Sequence, residues 1–306
     1  MNPYWGSDFF SFFGILFHRI ELFITMQGPS PLASDEVQML LLGSIAISSG
    51  IVGSFLVVRK MTMLANSLSH TILIGIVGAS LLFSDQGGSL SLFSLITASL
   101  FAAFGTVGVT RLIGKGAYVK EDASIGLGFT TLFALGLILL MLFTKNAHIG
   151  TEAIMGNLDA VHVDDLKLSF SLVLFNGIVF FLFYPLFKNI AFDRAYAVSR
   201  RLPCTWIDGL FFLLLAMTSV FSFRAVGVLL VLAFFTGPQL TARLFCDRLS
   251  RLIMFSIGIG LFIAAFSVAI ARHFLSVYQM PLSTAGIAVT VIGCVFALSA
   301  FCKGKV

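Results

Sequence analysis

The sequence alternates between long apolar runs and short polar segments. Nine runs contain no Lys, Arg, Asp or Glu, at residues 37–58, 67–84, 90–110, 123–144, 168–187, 209–222, 226–242, 252–271 and 282–302. An α-helix needs about 20 apolar residues to cross the hydrocarbon core of a bilayer, so these runs predict about nine transmembrane helices. The two runs that flank Arg224 are the shortest, and one bent unit is the alternative for that pair.

Residues 1–36 form a leader that differs from these runs. Its apolar stretch at 9–26 carries His18, Arg19 and Glu21 near the middle, where a spanning helix would have to bury them in hydrocarbon. We therefore predict an interfacial helix for this stretch in preference to a tenth span. The remainder, residues 37–306, is predicted to form a single transmembrane domain.

Composition and charge indicate the class of protein and its orientation. Hydrophobic residues make up 58% of the 306 positions and charged residues only 11%, against about 25% charged residues in soluble domains. This excludes a soluble fold and indicates an all-α polytopic membrane protein. Cytoplasmic loops are rich in Lys and Arg, which predicts a cytoplasmic C-terminus. If successive runs cross the membrane in alternating directions, most basic residues then lie on the cytoplasmic side. They are at 59–60, 111–120, 188–201, 243–251 and 303–305.

One pair of polar residues opens the second predicted span. Asn66 and His70 are four positions apart, so a helix places them on one face. An ionisable side chain within a span is costly and is therefore a candidate for function, and imidazole is a common ligand of transition metals. The alternative that the spacing leaves open is a histidine that hydrogen-bonds a neighbouring helix.

Glycines and one proline mark special points within the spans. Gly50 and Gly53 recur within one turn and predict a close helix contact. Gly237 and Pro238 interrupt the run at 226–242, where proline removes a backbone hydrogen bond and predicts a kink or break. Broken helices line transport pathways, although many proline kinks serve packing alone.

The sequence contains no phosphate-binding loop of the GxxxxGK[ST] type and no HExxH or GxSxG motif. We therefore expect a transport subunit without enzymatic activity or an intrinsic cofactor. If transport is driven by ATP, the ATPase must be a separate chain.

Several segments, in order along the chain, resemble the permease subunits of ABC importers for zinc, manganese and iron. The matching segments are GIVGSFLVVRKMTMLANSLSHTILIG at 50–75, EDASIGLGF at 121–129, GNLDAVHVDDL at 156–166, AFDRAYA at 191–197, FRAVGVLLVLAFFTGPQLTARL at 223–244 and PLSTAGIAV at 281–289. The resemblance implies a type II ABC importer permease-like bundle over residues 37–306.

The resemblance also implies partners and roles. The expected partners are a second permease, two cytosolic ATPases and an extracytoplasmic metal-binding protein, in the cytoplasmic membrane. Phe192, Asp193 and Ala197 would belong to the coupling helix that docks on an ATPase. Asn66 and His70 would occupy the positions of the metal-binding element, with the divalent metal as transported substrate.

The chain departs from the family pattern at three positions. Asn66 stands where the family usually has Asp, which removes one carboxylate and suggests a heterodimer whose sister permease supplies it. Ala195 and Arg201 replace a Glu and a Gly that are usual in the coupling segment.

An ion-coupled secondary transporter is the alternative function. That class generally requires carboxylates within the membrane, whereas the acidic residues between 37 and 302 all fall between or at the ends of the predicted spans. A scaffold without transport activity is a third hypothesis, and the coupling-like segment disfavours it.

Overall fold

A computed structural model describes residues 3–25, 32–63, 121–143, 158–161 and 163–303, together with scattered positions between 67 and 113. In this part of the chain the regular elements are all helical. Apart from a 3₁₀ turn at Leu158–Ala160, they are α1 Phe9–Ile24, α2 Ser34–Val58, α3 Glu121–Phe143, α4 Val163–Phe192, α5 Arg194–Ser199, α6 Cys204–Val226, α7 Val228–Phe245, α8 Leu249–Val277 and α9 Thr284–Lys303.

Six of these helices, α2, α4, α6, α7, α8 and α9, are long and apolar enough to cross a membrane. Helix α3 contains a shorter apolar stretch, Gly126–Leu139. The described part of the chain therefore holds six candidate spans, compared with the nine predicted for the whole sequence. The predicted spans at 67–84 and 90–110 lie largely outside the described residues.

The runs on either side of Arg224 form two separate helices that meet at Gly227. Gly227 has φ 86° and ψ 162°, a conformation that side chains rarely allow. Its N–H donates to the carbonyl of Phe223 at 2.9 Å, and its own carbonyl accepts from the N–H of Val231. One glycine thus ends α6 and begins α7, which excludes a single continuous helix.

The sequence predicts a kink or break at Gly237 and Pro238, and the structure shows no break there. Helix α7 continues through both Gly237 and Pro238. A proline clashes with the Cβ of the residue before it in a helix, and Gly237 has no Cβ, so the helix accommodates the ring. A Cβ at position 237 would also lie 2.1 Å from Cγ2 of Ile292, so α9 packs tightly at this point.

Helix α2 is the centre of the bundle, mostly buried and packed against α4, α7 and α8. Ser44 contacts Ser169 through their hydroxyl groups, and the ring of Phe55 lies 4.9 Å from that of Phe180. The two residues of each pair are 125 positions apart in the chain. Because this separation stays the same along both helices, α2 and α4 run parallel.

Small residues make the close contacts of α2, as their spacing predicts. A Cβ at Gly53 would lie 2.6 Å from the carbonyl oxygen of Phe235 in α7, and one at Gly50 would lie 2.7 Å from Ile257 in α8. On α8, a Cβ at Gly260 would lie 2.9 Å from the Cβ of Ala46. These positions let neighbouring backbones approach closely.

Helix α8 runs antiparallel to α2, which gives the bundle two distinct ends. The Asp35 end contains the start of α2, where Asp35 pairs with Arg272 near the end of α8. The Arg59 end contains the last turn of α2, the short helix α5, and Arg243, which donates to the carbonyl of Val57 at 2.9 Å.

The leader helix α1 packs on α8 and is tied to the first turn of α2. The ring of Phe9 lies 5.4 Å from that of Phe266, and Arg19 donates two hydrogen bonds to the carboxylate of Glu36. Tyr4 donates to the same carboxylate at 2.8 Å. Burial, reinforced by this hydrogen bond, raises the pKa of Tyr4, so the phenol stays protonated as a donor. The interfacial placement of α1 stays a prediction.

Candidate functional site

The segment predicted to couple to an ATPase forms a short helix of its own at the Arg59 end. Helix α4 ends at Phe192, and Asp193 takes an extended conformation with φ −145° and ψ 97° before α5 begins. The side chain of Asp193 accepts a hydrogen bond from the N–H of Tyr196 at 2.9 Å. Asp193 is therefore the N-cap of α5, which separates it from α4.

Helix α5 is fixed by one face and exposed on the other. Ala197 is fully buried, whereas Phe192 is 58% exposed and Tyr196 is 46% exposed. The guanidinium of Arg200 lies over the ring of Tyr196, and its Nε donates to the phenol oxygen at 3.0 Å. The three predicted coupling residues thus come together: one cap, one buried anchor and one exposed aromatic ring.

The end of α5 explains why glycine suits position 201. Arg201 has φ 56°, in the left-handed region, and the N–H of Leu202 donates back to the carbonyl of Ala197 at 3.0 Å. This is a helix C-terminus of the kind that glycine usually ends. The turn therefore forms with arginine in this chain, at the cost of about 1 kcal/mol that a non-glycine residue incurs in that conformation.

A buried carboxylate lies directly behind α5. Asp208, near the start of α6, is within 2.9 Å of Nη1 of Arg59 and within 3.0 Å of Nη2 of Arg194. Arg59 also lies over the ring of Phe211, 5.1 Å from its centroid. This cluster was not predicted from the sequence, where its one signal is a single Asp directly before the run at 209–222.

A cavity of about 280 Å³ opens beside α5 at the Arg59 end. It lies between the ends of α2, α4 and α7 and the start of α8. Phe192 and Ala191 form one wall, and Arg243 and Asp247 supply its charged groups. The exposed ring of Phe192 therefore stands at the edge of a concave surface.

A second cavity, of about 430 Å³, lies at the Asp35 end. Its walls include Asp35, Gln38, Asp159, Arg272 and Thr284. Asp35 and Arg272 are both buried and paired with each other, and Thr284 donates to Asp159 at 2.7 Å. The walls of this cavity therefore contain two carboxylates and one guanidinium group.

The predicted metal residues cannot be placed in this arrangement. Asn66 and His70 both lie outside the described residues. Within the described ranges no group of three or more His, Cys, Asp or Glu could hold a metal ion. Gly237 lies in the contact between α7 and α9, and Pro238 beside it is buried. Their role in a pathway stays a prediction.

Comparison with known proteins identifies the family. A model of the ABC 3 transport family matches residues 35–303. The chain belongs to the ABC 3 transport family. A member from Chlamydia muridarum, named "Probable metal transport system membrane protein", is 38% identical over 292 residues, which are 95% of this chain and 92% of that protein. The manganese transport system membrane protein MntD of Bacillus subtilis is 35% identical over 71% of this chain and 76% of its own length.

A solved structure supports the same fold. The structure "PsaBC from Streptococcus pneumoniae in complex with Fab" contains a chain that matches with a TM-score of 0.72 and 22% identity, covering 86% of this chain and 89% of that one. The resemblance to permeases of metal ABC importers is thus confirmed, and this member of the ABC 3 transport family is an integral protein of the cell membrane.

Proposed function

We propose that the chain is the membrane-spanning subunit of an ATP-driven importer for a divalent transition metal. It pairs with a second permease, rests on two cytosolic ATPases and receives the ion from an extracytoplasmic binding protein. The observation that carries the proposal is the capped short helix α5, whose exposed Tyr196 ring lies close in the chain to the exposed Phe192 ring at the end of α4.

The chemistry of the α5 surface fits a protein partner. Phe192, Tyr196 and Val198 are exposed apolar or aromatic side chains beside the cations of Arg194 and Arg200. Aromatic and arginine side chains are enriched where protein interfaces gain most of their binding energy. Since this sequence has no phosphate-binding loop, ATP hydrolysis is assigned to the partner.

The partner is tested by co-purification with the ATPase. Replacing both Phe192 and Asp193 by Ala removes the exposed ring and the cap, the latter worth about 1 kcal/mol of helix stability. We expect loss of the ATPase from the purified complex. The controls are Asp193→Ser, which keeps a capping oxygen, and Tyr278→Ala, an equally exposed ring that lies toward the opposite end of the bundle. An undiminished ATPase yield from the double variant would place the docking surface elsewhere.

The metal is tested by uptake. The relatives named for manganese make that ion the first to try, and imidazole also suits zinc and iron. His70→Ala should abolish uptake of radiolabelled manganese while the permease still reaches the membrane. Wild-type uptake by this variant would remove His70 from the pathway.

The missing carboxylate at position 66 predicts a heterodimer. If a sister permease supplies the Asp, Asn66→Asp in this chain should support uptake without the sister, whereas the wild-type chain alone should not. Uptake by the wild-type chain alone in proteoliposomes with the ATPase would contradict the heterodimer. Uptake that needs an ion gradient and no ATP would instead favour the secondary transporter.

A further inference from the structure

The carboxylate of Asp208 joins three helices at the Arg59 end. One oxygen faces Arg59 of the α2 terminus at 2.9 Å, and the other faces Arg194, the first residue of α5, at 3.0 Å. Asp208 itself belongs to α6. Because each oxygen serves a different arginine, this side chain is the shared link between α5 and the centre of the bundle.

This link has two arms, the ion pair of Asp208 with Arg59 and the ion pair of Asp208 with Arg194. The two arms differ in their surroundings. The side chains of Asp208 and Arg59 are 7% and 8% exposed, so this arm is buried and costly to break. The side chain of Arg194 is 67% exposed. An ion pair with an exposed partner adds little to stability, so the outer arm is better explained by positioning than by folding.

The buried arm is anchored in the aromatic core. Arg59 is held over the ring of Phe211, which lies 6.5 Å from that of Phe55 in α2 and 6.3 Å from that of Phe187 in α4. Close-packed side chains of this kind transmit displacement because they have little free volume. A movement of α5 would therefore be passed through Asp208 to α2, the helix at the centre of the bundle.

We propose that Asp208 is a positioning residue that couples the movement of α5 to α2 during transport. The inference rests on the proposed function, in which α5 receives the force of an ATPase. It assigns to Asp208 no contact with metal or nucleotide. It predicts that a broken link leaves ATP hydrolysis running while fewer metal ions cross for each ATP.

The test uses the complete transporter in proteoliposomes and measures manganese uptake and ATP hydrolysis together. Arg194→Gln breaks the exposed arm and leaves the buried pair intact, so the variant should fold. We expect its ratio of uptake to hydrolysis to fall roughly threefold or more. Arg194→Lys should restore part of the ratio, and Arg251→Gln, which changes an exposed arginine in the first turn of α8, should keep the wild-type value.

A double-mutant cycle separates the link from direct contact with the ATPase, because Arg194 is exposed and Asp208 is buried. Asp208→Asn keeps the shape of the side chain and should lower the ratio as Arg194→Gln does. The double variant should be no worse than either single one. Additive losses, or a wild-type ratio in both single variants, would overturn the proposal. If the wild-type permease neither binds nor stimulates the ATPase, the proposed function itself fails, and this inference fails with it.

Discussion

At the scale of single residues, Gly53 occupies a point where α2 contacts the backbone of α7. Gln239 of α7 is fully buried there and donates through Nε2 to the carbonyl of Ser49 at 2.9 Å. A Cβ at position 53 would lie 2.6 Å from the carbonyl of Phe235 and 2.8 Å from Nε2 of Gln239. A backbone atom cannot swing aside as a side chain does, so the two helices would have to separate.

We therefore expect Gly53→Ala to destabilise the bundle by about 1–3 kcal/mol, the usual cost of overpacking. The measurement is the thermal unfolding midpoint of the detergent-purified protein. Gly258→Ala on α8 is the matched control, because nothing lies within 4 Å of its added Cβ. Equal midpoints for the two variants would show that α2 and α7 accommodate the added methyl group without loss of stability.

At the scale of elements, one carboxylate ties α1 to the first turn of α2. The Glu36 carboxylate accepts hydrogen bonds from Arg19 and Tyr4. It also accepts one from the backbone N–H of Ala33 at 2.9 Å. Hydrogen bonds to a charged group contribute about 1.5–3 kcal/mol. The outer face of α1 exposes Phe10 and Phe17, as expected of a helix that contacts lipid.

Glu36→Gln should loosen α1 from the bundle because it removes the charge that holds Arg19. We expect amide hydrogen exchange in α1 to accelerate roughly tenfold or more, in line with that energy. The control is Glu21→Gln on α1 itself. The Glu21 carboxylate is 76% exposed, and it lies 3.9 Å from the exposed ring of His18. Unchanged exchange in Glu36→Gln would mean that the aromatic contacts of Phe9 hold α1 without the ion pair.

Apolar runs predicted the helices well and their ends less well. Helix α4 covers 163–192 where the run covers 168–187, and α8 covers 249–277 where the run covers 252–271. Charged residues such as Asp164 and Lys167 continue the helix beyond the apolar run, because a helix can extend past the hydrocarbon. The pair of Asp35 with Arg272 joins residues 237 positions apart, and nothing local in the sequence indicates it.

At the scale of the whole molecule, the two ends of the bundle should face opposite sides of the membrane. Ser283 is exposed at the Asp35 end and Ser199 at the Arg59 end. With the native cysteines replaced, an impermeant maleimide should label Ser283→Cys in intact spheroplasts and label Ser199→Cys only after lysis. The reverse pattern would invert the orientation predicted from the basic loops.

The parallel course of α2 and α4 also restricts the chain between them. Two neighbours that cross a bilayer in the same direction must be joined by an odd number of further crossings. The three apolar runs predicted at 67–84, 90–110 and 123–144 satisfy this parity rule. An even number would bring the end of α4 out opposite Arg59, whereas Val58 and Phe192 share one cavity. Any insertion or deletion in evolution that kept α5 beside Arg59 had to conserve that parity.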